Sequence, residues 1–488
     1  MADSLNVRPT EARGVPHARV ILATMLISTF MAAVEVTVIS TAMPTIVAQL
    51  GGFRLFSWVF GIYLLTQAVM TPLYGRLADS FGRKPVYLGG TALFLLGSLL
   101  CGLAHSMVAL IAFRAIQGIG GGSLAPLATT ILGDTAAPAD RPRVMGYVSG
   151  IWGIAAIIGP LLGAFFVHTI GWEFCFWINL PIGLVTMTLV WRFLKEPEGS
   201  RLRAPIDLPS AALLMAGLAL MMADLVEFDR LSPLTFTGGL VAAFLLLGLF
   251  VLRERTLVHP LLPLDLVLRR VLLTANASAL LAGTLLIATT AFLPPLVQGV
   301  MGGNALDAGL VVGTLTVSWT CASMTLGRTI GRIGNRTLAV GAGIVLLAGM
   351  AALVPIAGGQ SLFWLAAIGL PIGAGMGLTS IVFTVSVQSG VPGSERGRAT
   401  ALFFFSRLMG QAIGAAAFGG VLNAGLGDTH GQDLMRELVD PRLRAGLSPA
   451  ELVAYVARLA SALHGVFLLA AIIALGVLTV ACFAPRRA

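Results

Sequence analysis

Charge is what this sequence has least of: Asp, Glu, Lys and Arg make up 11% of its 488 residues, against about 25% in an ordinary soluble domain. Lysine occurs only at Lys84 and Lys195, so arginine carries the positive charge. Cysteine is scarce as well. Cys101, Cys175, Cys321 and Cys482 stand singly in apolar stretches, without metal-ligand spacing or a pair in one polar loop. They read as packing residues, and no metal site is expected. The six histidines show no ligand spacing either. No Gly-x-x-x-x-Gly-Lys-Ser/Thr stretch exists to cradle phosphates, which argues against ATP-driven work and against a nucleotide cofactor. No basic stripe interleaved with stacking aromatics is present, so nucleic acid is not an expected partner. A membrane-embedded enzyme would need a clustered nucleophile and base, and none is visible, so an enzyme is not expected.

What is abundant is apolar surface. Hydrophobic residues make up 57% of the chain and the mean hydropathy is +0.91, more than a water-soluble fold can bury. Stretches such as 86–104 and 337–357 carry no charge and have the length, about 20 residues, that crosses hydrocarbon as a helix. Apolar runs between charged or Gly/Pro-rich breaks predict fourteen spans, near 19–46, 56–75, 85–104, 106–131, 143–167, 174–194, 208–226, 233–252, 271–300, 305–328, 337–357, 362–389, 399–422 and 461–484. The polar segment 1–19 and the long first run, with no small-residue cleavage site after it, do not fit a signal peptide. With the N-terminus inside, most of the 31 lysines and arginines fall in inner loops and tails or at span ends, and only Arg114 and Arg407 lie deep within spans. The net charge of +9 therefore reports topology, with both termini on the cytoplasmic side. The lipid bilayer is the expected partner.

An internal repeat supplies the architecture. The loop 75–84, GRLADSFGRK, recurs as 327–336, GRTIGRIGNR, with Gly75/Gly327, Arg76/Arg328 and Gly82/Gly334 in register. The two copies are eight spans apart. Six spans per half leave two over, so the plan is all-α, two six-helix bundles plus two inserted helices. It divides as 1–200, 201–268 with its inner linkers, and 269–488, the last part carrying an outer loop at 424–460. That loop is nearly balanced in charge and reads as a lid. Ser448-Pro-Ala-Glu451 within it is a capping box, so a short helix is expected to lead into the last span.

Several ordered motifs resemble the major facilitator superfamily, specifically its fourteen-spanner drug:proton antiporter branch, over nearly the whole chain. The loop 75–84 is similar to that family's signature between spans 2 and 3, and 114–120 (RAIQGIG) to its span 4 motif. Gly153, Gly159, Pro160 and Gly163 match the antiporter motif of span 5, the stretch 35–44 (EVTVISTAMP) looks like the branch's span 1 motif, and 172–183 resembles its segment between spans 5 and 6. Departures are Glu35 and Ser40 where Asp and Asn are usual, Glu173 for a basic residue, and Gly331 for the acid of the second loop. The resemblance implies a proton-coupled exporter of amphipathic, including cationic, small molecules in a bacterial inner membrane. Such a protein confers antibiotic resistance, works as a monomer, has a periplasmic adaptor as a candidate partner, and takes a proton gradient rather than a cofactor as its energy source. It also implies a latch at Gly75, Asp79, Gly82 and Arg83, with Asp79 bonding near the start of span 13 in one access state; a plain basic loop is the alternative. Lipid or metabolite transport on the same fold and a non-transporting receptor are the alternative functions.

The residues themselves carry part of this. Glu35 lies deep in span 1, where an ionisable group is costly unless paired, hydrated or protonated. Counting about 1.5 Å per residue, it sits about 13 Å below Pro44, and Arg114 about 12 Å below Ser106. Matching depths let Arg114 hold Glu35 ionised while a proton or a cationic cargo competes for the carboxylate. A structural pair that only locks span 1 to span 4 is the alternative. The span 5 glycines and Pro160 would permit close packing or a bend. Thr37, Tyr63, Gln67, Gln117, Asn179, Arg407 and Gln411 are candidate cavity residues, each equally able to bond a neighbouring helix. Asp224 and Glu227, near the outer end of span 7, are expected to be hydrated and are not assigned to coupling.

Overall fold

The computed structural model describes residues 17–136, 140–196, 207–258, 260–326, 334–356, 361–392, 395–427 and 431–485. Among them fourteen helices are long and apolar enough to cross a bilayer, and no strand occurs. They are α1 (Ala18–Leu50), α2 (Phe56–Phe81), α3 (Arg83–Gly102), α4 (Met107–Thr135), α5 (Arg141–Thr169), α6 (Asn179–Phe193) and α7 (Leu208–Val226). The chain continues through α8 (Pro233–Thr256), α9 (Arg270–Pro295), α10 (Ala305–Leu326), α11 (Asn335–Leu353), α12 (Leu362–Ser389), α13 (Arg396–Leu426) and α14 (Pro449–Cys482).

Local chemistry sets the ends of these helices. The side chains of Ser106, Ser232 and Ser361 accept bonds from the amides of Ala109, Thr235 and Trp364, capping α4, α8 and α12. Gly82 and Gly334, counterparts in the repeated loop, both take positive φ, 99° and 83°, directly before α3 and α11. The rest of the second loop, 327–333, lies outside the described residues, as do the linker segment 197–206 and the extreme termini.

Several boundaries differ from the sequence reading: α2 runs on to Phe81, so most of the segment 75–84 read as a loop, Asp79 included, forms the last turns of that helix. The last span begins at Pro449, because the Ser448–Glu451 capping box starts one uninterrupted helix that runs into the membrane. Hydropathy rises only later, so the polar first turns look like a separate element. The sixth span, Phe174–Phe193, agrees with the sequence reading; Ile178, with helical φ and ψ, joins its first turn at Phe174–Trp177 to α6 proper. In α9 the consecutive Pro294 and Pro295 withdraw two backbone donors, and the helix continues as a π turn over Leu296–Val300.

Small residues bring the helices together. A Cβ at Gly97 would meet the backbone of Gln117 at 2.5 Å, so α3 and α4 pack backbone to backbone. The inserted α7 lies against the seam of α2 and α13, with Met222 over Gly61 and the Leu225 carbonyl at Gly420. Its partner α8 packs on α7 and is the most exposed span. Asp224 is not hydrated as expected: it is 6% exposed, filling the space that Gly239 leaves free.

The described bonds between the first six and last six spans lie toward the end away from the chain termini. Ser40 donates its hydroxyl to the Thr290 carbonyl, Gln298 Nε2 donates to the Thr41 carbonyl at 3.2 Å, and Asn423 Nδ2 to the Arg54 carbonyl at 3.1 Å. Phe292 stands edge-on to Phe56 and Phe418, with centroids 5.5 and 5.8 Å apart. Above this seal, helix Gly431–Val439 lies over α1 and the π turn, and Arg444 of the adjoining helix Pro441–Gly446 donates from Nη1 to the Gly299 carbonyl at 3.1 Å. At the basic end each half bonds to itself: Arg83 to Asp134 at 2.5 Å, Arg269 to Glu395 at 2.5 Å and Arg398 to Asp265 at 3.0 Å. Among the described residues the bonds between the halves thus lie at the far end, and none is found at the basic end.

This state can be trapped. A Cβ at Gly61 would stand 3.7 Å from that of Ala415, close to the separation of about 3.8 Å in a disulfide. Only the flexible end of Met222 intrudes. The Gly61→Cys/Ala415→Cys pair is expected to cross-link under mild oxidation, read as loss of thiol labelling that a reductant restores. Undiminished labelling would place the far ends apart.

Candidate functional site

Glu35 and Arg114 meet inside the first bundle. Arg114 Nη1 lies 2.5 Å from Glu35 Oε1, and the two side chains are 2% and 0% exposed. The other carboxylate oxygen accepts from Asn179 Nδ2 at 2.6 Å. Arg114 also donates through Nη1 to Gln117 Oε1 at 2.7 Å, and through Nε to the Val59 carbonyl at 3.1 Å. Its guanidinium lies 4.0 Å from the centroid of the Tyr63 ring. Such a pair needs every flank satisfied, because removing one member of a buried ion pair typically costs about 3–5 kcal/mol.

The local sequence explains how Asn179 gets there. Trp172 Nε1 donates to Gln49 Oε1 at 2.9 Å, and the turn Phe174–Trp177 leads through Ile178, itself helical, into α6 at Asn179. That places Asn179 in the first turn of α6, facing α1. Ser98 on α3 ties the far side of the network. Its hydroxyl accepts from Gln117 Nε2 at 3.0 Å and Asn179 Nδ2 at 2.9 Å, and donates to the Phe176 carbonyl at 2.9 Å. Ser98 was missed by sequence reasoning. One hydroxyl in an apolar span carries no signal until Gln117 is known to face it.

Tyr63, Gln117 and Asn179, three of the candidate cavity residues, therefore belong to this enclosed network, each no more than 1% exposed. Thr37, by contrast, is only half-buried. It lies between α1 and α5, its hydroxyl 3.4 Å from the Ala155 carbonyl. Gln67 is half-buried beside Gly122 of α4, and Gln411 is buried against Gly283 of α9. Arg407 faces a narrow recess of the second bundle, its guanidinium carbon 4.8 Å from the Trp319 ring centroid.

The span 5 motif joins the site to the second half. A Cβ at Gly159 would overlap Thr37 Oγ1, and one at Gly163 would overlap Thr41 Oγ1 and approach the Val38 carbonyl to 2.6 Å. Gly153 faces Thr320, and the Pro160 carbonyl faces Gly309 on α10. So α5 is held against α1 on one side and α10 on the other.

The latch residues are not brought to span 13. Asp79 is exposed, and no bond from it to the start of α13 is present among the described residues. There Glu395 pairs with Arg269 and Arg398 with Asp265. Gly82 packs against Glu196, whose carboxylate accepts from the Lys84 amide at 2.6 Å, and nothing crowds Gly75.

Residues 25–415 match the family described as Major Facilitator Superfamily. Among curated proteins, the Multidrug transporter protein MdtP of Bacillus subtilis (strain 168) is 31% identical over 428 residues, 85% of this chain and 77% of that protein. Multidrug resistance protein 3 of the same organism is 32% identical over 401 residues, 81% of this chain and 78% of that protein. A bacterial homolog of the human lysosomal transporter Spinster, in an inward-facing and unoccupied conformation, shares the fold with a TM-score of 0.67 at 17% identity. The match covers 96% of this chain and 98% of that chain.

Proposed function

The chain belongs to the Major Facilitator Superfamily, and within it we propose a secondary exporter that moves amphipathic small molecules out of a bacterial cell in exchange for protons. It is a multi-pass membrane protein of fourteen spans. Relatives named as multidrug transporters support drug-like cargo. The basic end becomes the cytoplasmic one by the charge bias, with both termini there. A chain whose described bonds between the halves all lie at the far end is then suited to load from the cytoplasm.

The observation that carries the proton half of this reading is Glu35. It is the only Asp or Glu of α1–α6 and α9–α14 that lies away from a helix end. A proton on it would leave Arg114 without its counter-charge in a dry site, which favours separation of α1 from α4. Protonation and helix position are thereby linked. Cationic cargo is a separate matter, since the carboxylate is already shared by Arg114 and Asn179, and Glu35 gives no preference for cations.

Protein in vesicles with an imposed pH gradient is expected to move a hydrophobic dye at a rate that rises with the gradient and collapses with a protonophore. Dye flux indifferent to the gradient would remove the proton coupling. Absence of flux for any amphipath would move the protein to lipid or metabolite transfer, or to a receptor role.

A further inference from the structure

Arg407 is a cation deep in the second bundle that no acidic side chain answers among the described residues. It lies eleven residues into α13, about 16 Å along the helix and well inside hydrocarbon depth. From α9 to α14 the acids within helices are Asp307 and Glu451, each in the first turn at the far end. No hydrogen bond or ion pair to the Arg407 guanidinium is found among the described residues, and its described partner is the Trp319 ring. Arg114, by contrast, is answered by Glu35. A guanidinium in a membrane interior is costly to keep and marks a substrate or ion path.

The recess around it has a definite chemistry. Trp319, Phe383, Phe403 and Met376 make most of its wall, and Ser278 and Ser380 add hydroxyls. Ser278 is fully buried and its Oγ has no partner. The Thr379 hydroxyl is committed to the Gly375 carbonyl at 2.7 Å. A planar donor fork, a free hydroxyl and aromatic walls suit an acidic group attached to an aromatic or hydrocarbon body. Arg407 therefore gives this recess of the second bundle a net positive charge.

We propose that Arg407, with Ser278 and the Trp319 face, is the subsite for the acidic group of an amphipathic organic anion, so that the cargo includes carboxylates and sulfonates. This rests on the transport reading above. The test uses two probes with one aromatic body: 1-anilinonaphthalene-8-sulfonate, which is anionic, and N-phenyl-1-naphthylamine, which is neutral. In phosphatidylcholine vesicles Arg407→Gln is expected to raise KM for the anion at least about tenfold, the loss of one charge-assisted hydrogen bond. The neutral probe should stay within about twofold, and Arg407→Lys should recover part of the loss because it keeps charge without the fork. Equal changes for both probes, or none for the anion, would overturn the subsite.

Two further arms separate other causes. If wild type carries neither probe, the transport reading fails, and equilibrium binding to purified protein still decides the subsite. A tenfold weaker anion affinity in Arg407→Gln supports it, and unchanged affinity overturns it. Anionic lipid is the rival source of the acidic group. Anion transport that falls as phosphatidylglycerol is added, in wild type but not in Arg407→Lys or Arg407→Gln, would assign the site to a lipid phosphate and overturn the cargo role.

Discussion

Glu35→Gln is expected to abolish pH-gradient-driven transport while leaving the protein folded. Glutamine keeps the length of the side chain and one oxygen to accept from Arg114 Nη1. Its new amide would face Asn179 Nδ2, now 2.6 Å from Glu35 Oε2. Two donors cannot share that contact, but Asn179 Oδ1 has no partner, and turning the Asn179 amide lets that oxygen accept instead. The bond from Asn179 to Ser98 is the one given up, a loss of about 1 kcal/mol. Arg114 becomes an uncompensated charge, yet it keeps the Val59 carbonyl, Gln117 and the Tyr63 ring. What the variant loses outright is the proton-binding oxygen.

The opposite change is expected to behave differently. Arg114→Gln strands an ionised or newly protonated Glu35 and removes four contacts at once, so it should lower thermal stability by several degrees as well as transport. That is the consequence of losing about 3–5 kcal/mol from a large domain. Vesicle flux with and without a pH gradient, beside melting curves for both variants, separates the two effects. If Glu35→Gln exports as fast as wild type and keeps its dependence on the gradient, the pair is a structural lock and the coupling assignment is wrong.

Much of this site was legible because membrane depth is a one-dimensional quantity. Glu35 and Arg114 are 79 residues apart, yet counting from helix ends puts them at one level. Depth says nothing of azimuth. Thr37 is two residues from Glu35 and at nearly the same level, but it turns toward α5 rather than toward Arg114 on α4. Ser98 and the orphan oxygen of Asn179 were invisible for the same reason. The span count followed from length and hydropathy, whereas the start of α14 did not, since Pro449–Cys482 begins beyond the apolar run and only the capping box marks it. The latch required knowing which access state the chain occupies, and no local pattern encodes that.

The glycines of α5 divide into two kinds, and the division predicts which of them a second mutation can rescue. A Cβ at Gly159 meets mainly the Thr37 side chain, with the Val38 amide no nearer than 3.5 Å. Gly159→Ala should therefore be strongly destabilising alone, and Thr37→Gly should restore most of the stability, less about 1 kcal/mol for a glycine in mid-helix. A Cβ at Gly163 meets the Val38 carbonyl at 2.6 Å as well as Thr41. No side-chain deletion moves a backbone carbonyl, so Gly163→Ala with Thr41→Gly should remain as impaired as Gly163→Ala. Melting temperature and vesicle flux for the four variants check this. Rescue at Gly163 would mean that α5 can slide along α1. The α1–α5 contact would then be a moving surface rather than a fixed hinge that carries a change at Glu35, through Pro160 and Gly309, to α10 of the second half.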